Sequence, residues 1–265
     1  MENTVKINDN IYRLTLPYKD IYTTVYVIKT EKGVLLFDSA SYDSDIEEYI
    51  LPFLFKLNIT ADMLKYVFIS HDHNDHSGGL GELIKKFPDI NIIAKSPEIK
   101  ERYKDANVII PKENDVFMDY LKVINITGHT AESIAVYDMR TKTLISGDCL
   151  QLYGIYGSGK WGANISFPIE HIKAVGKLRN MDIEHIFTAH DYHPCGYSYI
   201  GKEEVLKALD ACVSPLYEIE DMIKKNPEFD DEKICELYNS AGKPTLGVHV
   251  VTAVRNENIC SASDN

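Results

Sequence analysis

The stretch that most constrains this chain is "FISHDHNDHSGGL", residues 68–80. His71, Asp72, His73, Asn74, Asp75 and His76 stand in six consecutive positions, after the apolar run "YVFIS" and before Gly78-Gly79. Imidazole nitrogen and carboxylate oxygen are good ligands for a borderline divalent ion such as zinc. Where a strand ends, alternate side chains point the same way, so His71 and His73 can face one space together. Asp75 and His76 are then turned toward an adjacent space by the start of a helix. Two ions need more ligands than one loop supplies, so other His or Asp residues are expected at strand ends elsewhere. His129 in "NITGHTAES", Asp148 in "TLISGDC" and His190 in "IFTAHDYH" each follow an apolar run and meet that demand.

The rest of the chain reads as alternating strands and helices. "NIYRLTL" (10–16), "TVYVIKT" (24–30) and "GVLLFDS" (33–39) are β-branched and aromatic runs separated by Pro17 and the "EKG" turn. Ser44 and Glu47 have capping-box spacing, and Ile46, Ile50, Phe53 and Leu57 continue one helical face, with a kink expected at Pro52. Strands are expected at 66–70, 91–94 and 121–127, a hairpin about "MRTK", a helix over 168–181 and a strand over 183–189. Both halves run strands, helix, strand and end in a histidine, which predicts an α/β fold, an αββα sandwich with helices outside two packed sheets. The core spans about 10–195, followed by a helical extension over about 200–241 and a closing strand over about 246–251, all read as one domain of 1–265. In the extension Val205, Leu209, Cys212, Leu216, Ile219 and Ile223 form a narrow apolar seam interrupted by Pro215. A helix hairpin packed on its own domain is favoured over a homodimer seam, because two heptads are short.

Charge and cysteine usage narrow the function. A formal net charge of −12 disfavours an anionic polymer as partner, and no dense Lys/Arg tract opposes it, so nucleic acid is not expected. No apolar run approaches the roughly 20 residues of a membrane span, and "MENTVKINDN" lacks a signal-peptide core. The five cysteines are scattered without CxxC spacing, which fits a reducing cytoplasm.

The set "HDHNDH", "GHT", "SGD" and "AHD", with Asp38 closing the run "LLFDS", resembles the metallo-β-lactamase superfamily, nearest to its glyoxalase II-like hydrolases. The resemblance covers roughly residues 10–195. It implies that His71, His73 and His129 hold a first metal, that Asp75, His76 and His190 hold a second, and that Asp148 bridges both. Asp38 would orient a ligand from behind. The ions expected are two divalent metals, zinc foremost, with iron or manganese as alternatives. A hydroxide held between two such ions is a nucleophile near neutral pH, and Asp75 would orient it and pass its proton. The reaction implied is hydrolysis of an ester, thioester, lactone or related bond in a small molecule. The basic residues that bind glutathione in glyoxalase II have no clear counterpart in this tail.

Two other readings stay open on the same scaffold: a mononuclear iron persulfide dioxygenase, and a non-catalytic protein that uses the metal to hold a ligand. The loop at 149–166 after Asp148 carries Tyr153, Tyr156, Lys160 and Trp161 among glycines, and Tyr192 and His193 follow His190. These six are the candidate substrate-binding residues. The blander alternative is that the aromatics only pack their loop. Cys149 is expected to be a buried structural thiol, since neighbours in a strand point oppositely.

Overall fold

The computed structural model describes residues 3–155, 160–193 and 196–259. By internal contact the chain divides into two compact units, residues 1–124 with 134–139, and residues 125–133 with 140–265.

The first unit carries a seven-stranded sheet whose strands lie in sequence order: β1 (Thr4–Lys6), β2 (Ile11–Tyr18), β3 (Ile21–Thr30), β4 (Gly33–Phe37), β5 (Leu64–Ile69), β6 (Asn91–Ala94) and β7 (Asn107–Ile109). The first four pair antiparallel, and β4 to β7 pair in parallel. It also carries β8 (Val116–Phe117), β9 (Leu121–Asn125) and β10 (Ile134–Asp138), adjacent in that order. Parallel pairing matters most for function. It brings the C-terminal ends of β4 and β5 to one edge, where open α/β sheets place their ligands. The register pairs Phe37 with Phe68, so the residues just beyond, Asp38 and Ser70, become neighbours.

Pro17 does not separate two strands as expected; β2 runs through it to Tyr18, pairing it with Tyr22. The reason is that β1 reaches only Leu14 on the other side, so at Pro17 the strand is an edge and the missing N–H costs no ladder bond. The helix after β4 is also started differently. Asp45, not a Ser44–Glu47 box, accepts from the backbone N–H groups of Ser41 and Tyr42, both at 3.0 Å. A widened turn over Ile46–Ile50 then leads into Leu51–Lys56, placing Pro52 where a new helical segment begins and its missing N–H is harmless.

The second unit holds β11 (Thr143–Ile145), β12 (His185–Tyr192) and β13 (Gly196–Ile200), adjacent in that order, and four helices of nine or more residues: Pro168–Arg179, Lys202–Lys225, Asp231–Asn239 and Val248–Glu257. The helix Lys202–Lys225 continues through Pro215. The interior proline costs roughly 3 kcal/mol. Buried Leu209, Cys212, Leu216 and Ile219 on the same face recover more than that at roughly 1.5–3 kcal/mol per large apolar side chain. Ser214 Oγ donates to the Asp210 carbonyl at 2.8 Å, tying the solvent side of the turn.

The closing strand expected at 246–251 is not formed: Val248–Glu257 is a helix, capped at its end by Asn258 in the left-handed conformation. Four valines cost a helix about 2–3 kcal/mol in propensity, at about 0.7 kcal/mol each. Val250, Val251 and Val254 are buried against Leu216, Ile219, Ile234 and Tyr238, which outweighs that cost. Among the described residues no helix is long and apolar enough to cross a membrane.

Candidate metal centre

In the first unit the loop after β5 brings four of the expected ligands together. The rings of His71 and His73 are 4.5 Å apart between centroids, and those of His71 and His76 4.3 Å. Asp75 Oδ2 stands 3.5 Å from His76 Nε2. His71, Asp75 and His76 are buried, and His73 is exposed.

Asp38 sets the tautomers of two of these rings. Its Oδ2 accepts from His76 Nδ1 at 2.7 Å and from Ser70 Oγ at 3.0 Å, and its Oδ1 accepts from the Ser70 backbone N–H at 2.8 Å. Ser70 gives its one hydroxyl proton to Asp38, so its oxygen accepts from His71 Nδ1 at 3.1 Å. Both histidines therefore carry their proton on Nδ1 and present Nε2 as the lone pair, the form a metal takes. Burial pushes the Asp38 carboxyl up, while His76 and Ser70 pull it back.

The backbone around Asp38 is held under strain. Asp38 and Ala40 have φ of 63° and 60°, a region that costs most side chains about 1 kcal/mol or more. The loop is interlocked with the turn after His76: Ser39 N–H and Oγ both donate to the His76 carbonyl, at 2.7 and 3.0 Å, and Gly78 N–H donates to Ala40 O at 3.0 Å. Asp72 is engaged elsewhere. Arg102 grips it bidentately at 3.1 and 3.0 Å, and Ser77 Oγ donates to it at 2.9 Å. Neither Arg102 nor Ser70 carried a signal in the sequence, since a single Arg or Ser has no motif of its own.

The second unit assembles the other three. Asp148 lies in a short 3-10 turn, Gly147–Cys149, just past β11. His190 sits inside β12 rather than beyond its end, at a bulge: pairing with β13 jumps from Phe187↔Ser198 to Tyr192↔Gly196. The bulge re-aims the strand where the ligand is needed. Asp148 Oδ1 is 3.1 Å from His190 Nε2, and its Oδ2 is 3.7 Å from His129 Nε2. One carboxylate thus offers an oxygen to each of two histidines. His129 Nδ1 donates to the Asn164 carbonyl at 2.7 Å, so this ring too presents Nε2. Three histidines locked in the same tautomer, two of them with a carboxylate beside Nε2, fit a borderline divalent cation.

Gly128 explains how His129 is seated. A Cβ at Gly128 would lie 2.3 Å from His171 Nδ1, so the His171 side chain packs directly on the backbone before the candidate ligand. His171 is wholly buried, donates Nε2–H to Cys212 O at 3.1 Å, and leaves Nδ1 without a hydrogen-bond partner. Burial holds its pKa down to about 4, from an ordinary 6.5. The unfolded chain therefore binds a proton below pH 6.5 that the fold refuses. Stability from this residue is present above pH 6.5 and is lost as pH falls toward 4, by about 3 kcal/mol in all. Denaturant unfolding of metal-free protein and of a His171→Leu variant between pH 7 and 4 measures it. The variant is expected to show a flatter decline, and parallel declines would sink the assignment.

The expected substrate-binding residues separate. Tyr192 is fully buried, with its hydroxyl donating to Asp148 Oδ1 at 2.8 Å, so it backs a candidate ligand and does not line a wall. Tyr153 and His193 are half-buried neighbours with rings 6.1 Å apart. Lys243 lies 4.5 Å over the Tyr153 ring and 2.5 Å from Glu218. Lys160 and Trp161 are exposed, and Tyr156 lies outside the described residues. Cys149 is buried, as expected.

Comparison with known proteins identifies the family. Residues 18–190 match the family model of the metallo-beta-lactamase superfamily. A hydroxyacylglutathione hydrolase of Prochlorococcus marinus (strain NATL1A) is 31% identical over 138 residues, 49% of this chain and 52% of that protein. The chain therefore spans about half the length of that relative. Another from Actinobacillus pleuropneumoniae serotype 5b is 25% identical, covering 84% of this chain and 80% of that protein. Among solved structures, a metallo-beta-lactamase family protein of Thermus thermophilus superposes with a TM-score of 0.67 at 15% identity, covering 96% of this chain and 95% of that one. With residues 18–190 matching its family model, and an α/β fold of two sheets with added C-terminal helices, the chain belongs to the metallo-β-lactamase superfamily.

Proposed function

We propose that this protein is a binuclear metallohydrolase that cleaves an ester, thioester, lactone or related bond in a small substrate. The observation that carries the reading is Asp148, whose two oxygens face two different histidines, the arrangement a bridging carboxylate needs. In this reading His71, His73 and His129 make one position and Asp75, His76 and His190 the other, with Asp148 between. The relatives' name, hydroxyacylglutathione hydrolase, supports hydrolysis of an acyl conjugate.

Divalent ions bound there would make water nucleophilic at neutral pH and polarise the scissile carbonyl. The chain's own residues do the rest. Asp38 and the Asn164 carbonyl keep the imidazoles as lone-pair donors. Asp75, nearly buried beside His76, supplies a carboxylate that orients the attacking water and takes its proton. Tyr153, Lys160 and Trp161 are the proposed contacts for the substrate beyond its reacting bond.

The test is metal analysis of protein purified without added metal, followed by a panel of thioesters, lactones, phosphodiesters and persulfides. Two ions per chain, with hydrolysis of one of the acyl substrates, is the expected result. One iron per chain with oxygen uptake on a persulfide would overturn it in favour of a dioxygenase.

A further inference from the structure

The metal ligands of the second unit are joined behind the site by a single buried amide, Gln151, which is 3% exposed. Its Nε2 donates to the Asp148 carbonyl at 2.7 Å and to the Tyr192 hydroxyl at 3.3 Å. Its Oε1 accepts from the Asn164 backbone N–H at 3.1 Å. These partners fix the amide's orientation, because the carbonyl must accept from an N–H and the NH₂ group must donate to an oxygen. Tyr192 receives from Gln151 and passes its own proton to Asp148 Oδ1 at 2.8 Å. On the other side, the Asn164 carbonyl accepts from His129 Nδ1 at 2.7 Å.

Each end of this chain of bonds terminates on a proposed ligand. Toward Asp148, the directed sequence Gln151, Tyr192, Asp148 holds one carboxylate oxygen toward His190 and leaves the other turned to His129. Toward His129, Gln151 pins the backbone of the residue that sets the imidazole's tautomer. Asn164 is braced from outside as well. Gly162 N–H donates to Thr245 O at 2.7 Å, and a Cβ at Gly162 would lie 2.4 Å from Leu246 N. His249 meets Asn164 Oδ1 at 2.8 Å. The segment bearing Asn164 is thus clamped between Gln151 and the turn before the last helix.

We infer that Gln151 is a positioning residue that couples the bridging carboxylate Asp148 to the first-metal ligand His129, so that metal occupancy at the His129 position depends on an amide that touches no metal. The inference rests on the binuclear reading above. It follows from what the position demands: one acceptor and two donors on a short, buried, uncharged group. Glutamate has the same shape but no donor, and it would set a carboxylate against the Asp148 carbonyl and the Tyr192 oxygen. Methionine has similar length and neither function. Loss of a residue behind a ligand commonly costs about 10- to 100-fold in metal affinity.

The experiment titrates metal-free protein with Co²⁺, reading the visible absorption bands for affinity and geometry, with the melting temperature of the metal-free form measured in parallel. Wild type, Gln151→Glu, Gln151→Met and Tyr192→Phe are compared. Tyr192→Phe removes one hydroxyl and retains the ring, which keeps the test informative if a Gln151 variant fails to fold. The expected result is two Co²⁺ per wild-type chain. In each variant one equivalent is weakened about 10- to 100-fold with an altered band shape. Variants with wild-type Co²⁺ affinities and spectra, whether or not their melting temperature falls, would overturn the inference while leaving the binuclear reading intact. A wild-type protein that takes up fewer than two Co²⁺ would overturn the binuclear reading and this inference with it.

Discussion

Under the binuclear reading, replacing Asp148 by asparagine is expected to cost the protein at least one metal ion and to lower kcat by about 10²-fold or more. The carboxylate stands where two cations would otherwise repel each other, and an amide supplies neither the charge nor a second equivalent oxygen. The surroundings add to the effect. Tyr192 donates to Asp148 Oδ1, and His190 Nε2 is 3.1 Å away. An asparagine that turns its oxygen to Tyr192 presents its NH₂ to His129, where a donor competes with the metal. The fold is expected to survive, because asparagine keeps the size of the side chain and Asp148 sits in a short turn outside the apolar cluster around the last helices. Metal content, kcat and melting temperature on one preparation test this. Wild-type activity with full metal content in the Asp148→Asn protein would falsify the bridging role.

The second large effect is expected at Gly78, from sterics and not from charge. A Cβ there would stand 2.0 Å from the Ser41 carbonyl oxygen and 2.4 Å from the Asn74 carbonyl oxygen. Both are backbone atoms, so no side chain can rotate out of the way. Gly78 N–H also donates to Ala40 O, which ties this turn to the loop in which Asp38 and Ala40 hold positive φ. Gly78→Ala must therefore push that loop away, and Asp38 with it, which releases the tautomer of His76. Overpacking of this kind costs about 3 kcal/mol, the upper part of the usual range. In a chain this size that is a fall of roughly 6–12 °C in melting temperature, accompanied by weaker metal binding. Gly81→Ala is the control, since the added Cβ meets nothing nearer than the Tyr103 hydroxyl at 3.4 Å. Equal melting temperatures for the two variants would mean that the loop yields without cost.

The ligand candidates were legible because each rests on local pattern: a titratable residue at or near the end of an apolar β-branched run, repeated at four places. Pattern of that kind survives in one dimension. What stood behind the ligands did not. Asn164 acts through its backbone carbonyl, which every residue has. Gln151 acts through three partners, Asp148 three residues before it and Asn164 and Tyr192 13 and 41 residues after it, and no spacing rule joins such positions. Tyr192 itself was singled out for the right neighbourhood and given a different duty, because an aromatic beside a ligand reads the same whether it faces a substrate or the ligand's carboxylate.

The sequence by itself determined the α/β class, the run of strands that ends near His71, Asp148 and the loop of His129, and the donor types of the candidate ligands, because side-chain periodicity and donor type are local properties. Tertiary structure alone decided three things. It made "VHVVTAV" a helix, since burial of Val250, Val251 and Val254 against the neighbouring helices exceeds the propensity cost of four valines. It carried the helix Lys202–Lys225 through Pro215 for the same reason. And it set which nitrogen each histidine offers, because a tautomer is fixed by the partner of the opposite nitrogen, and those partners, Asp38 for His76 and Asn164 for His129, are 38 and 35 residues away along the chain.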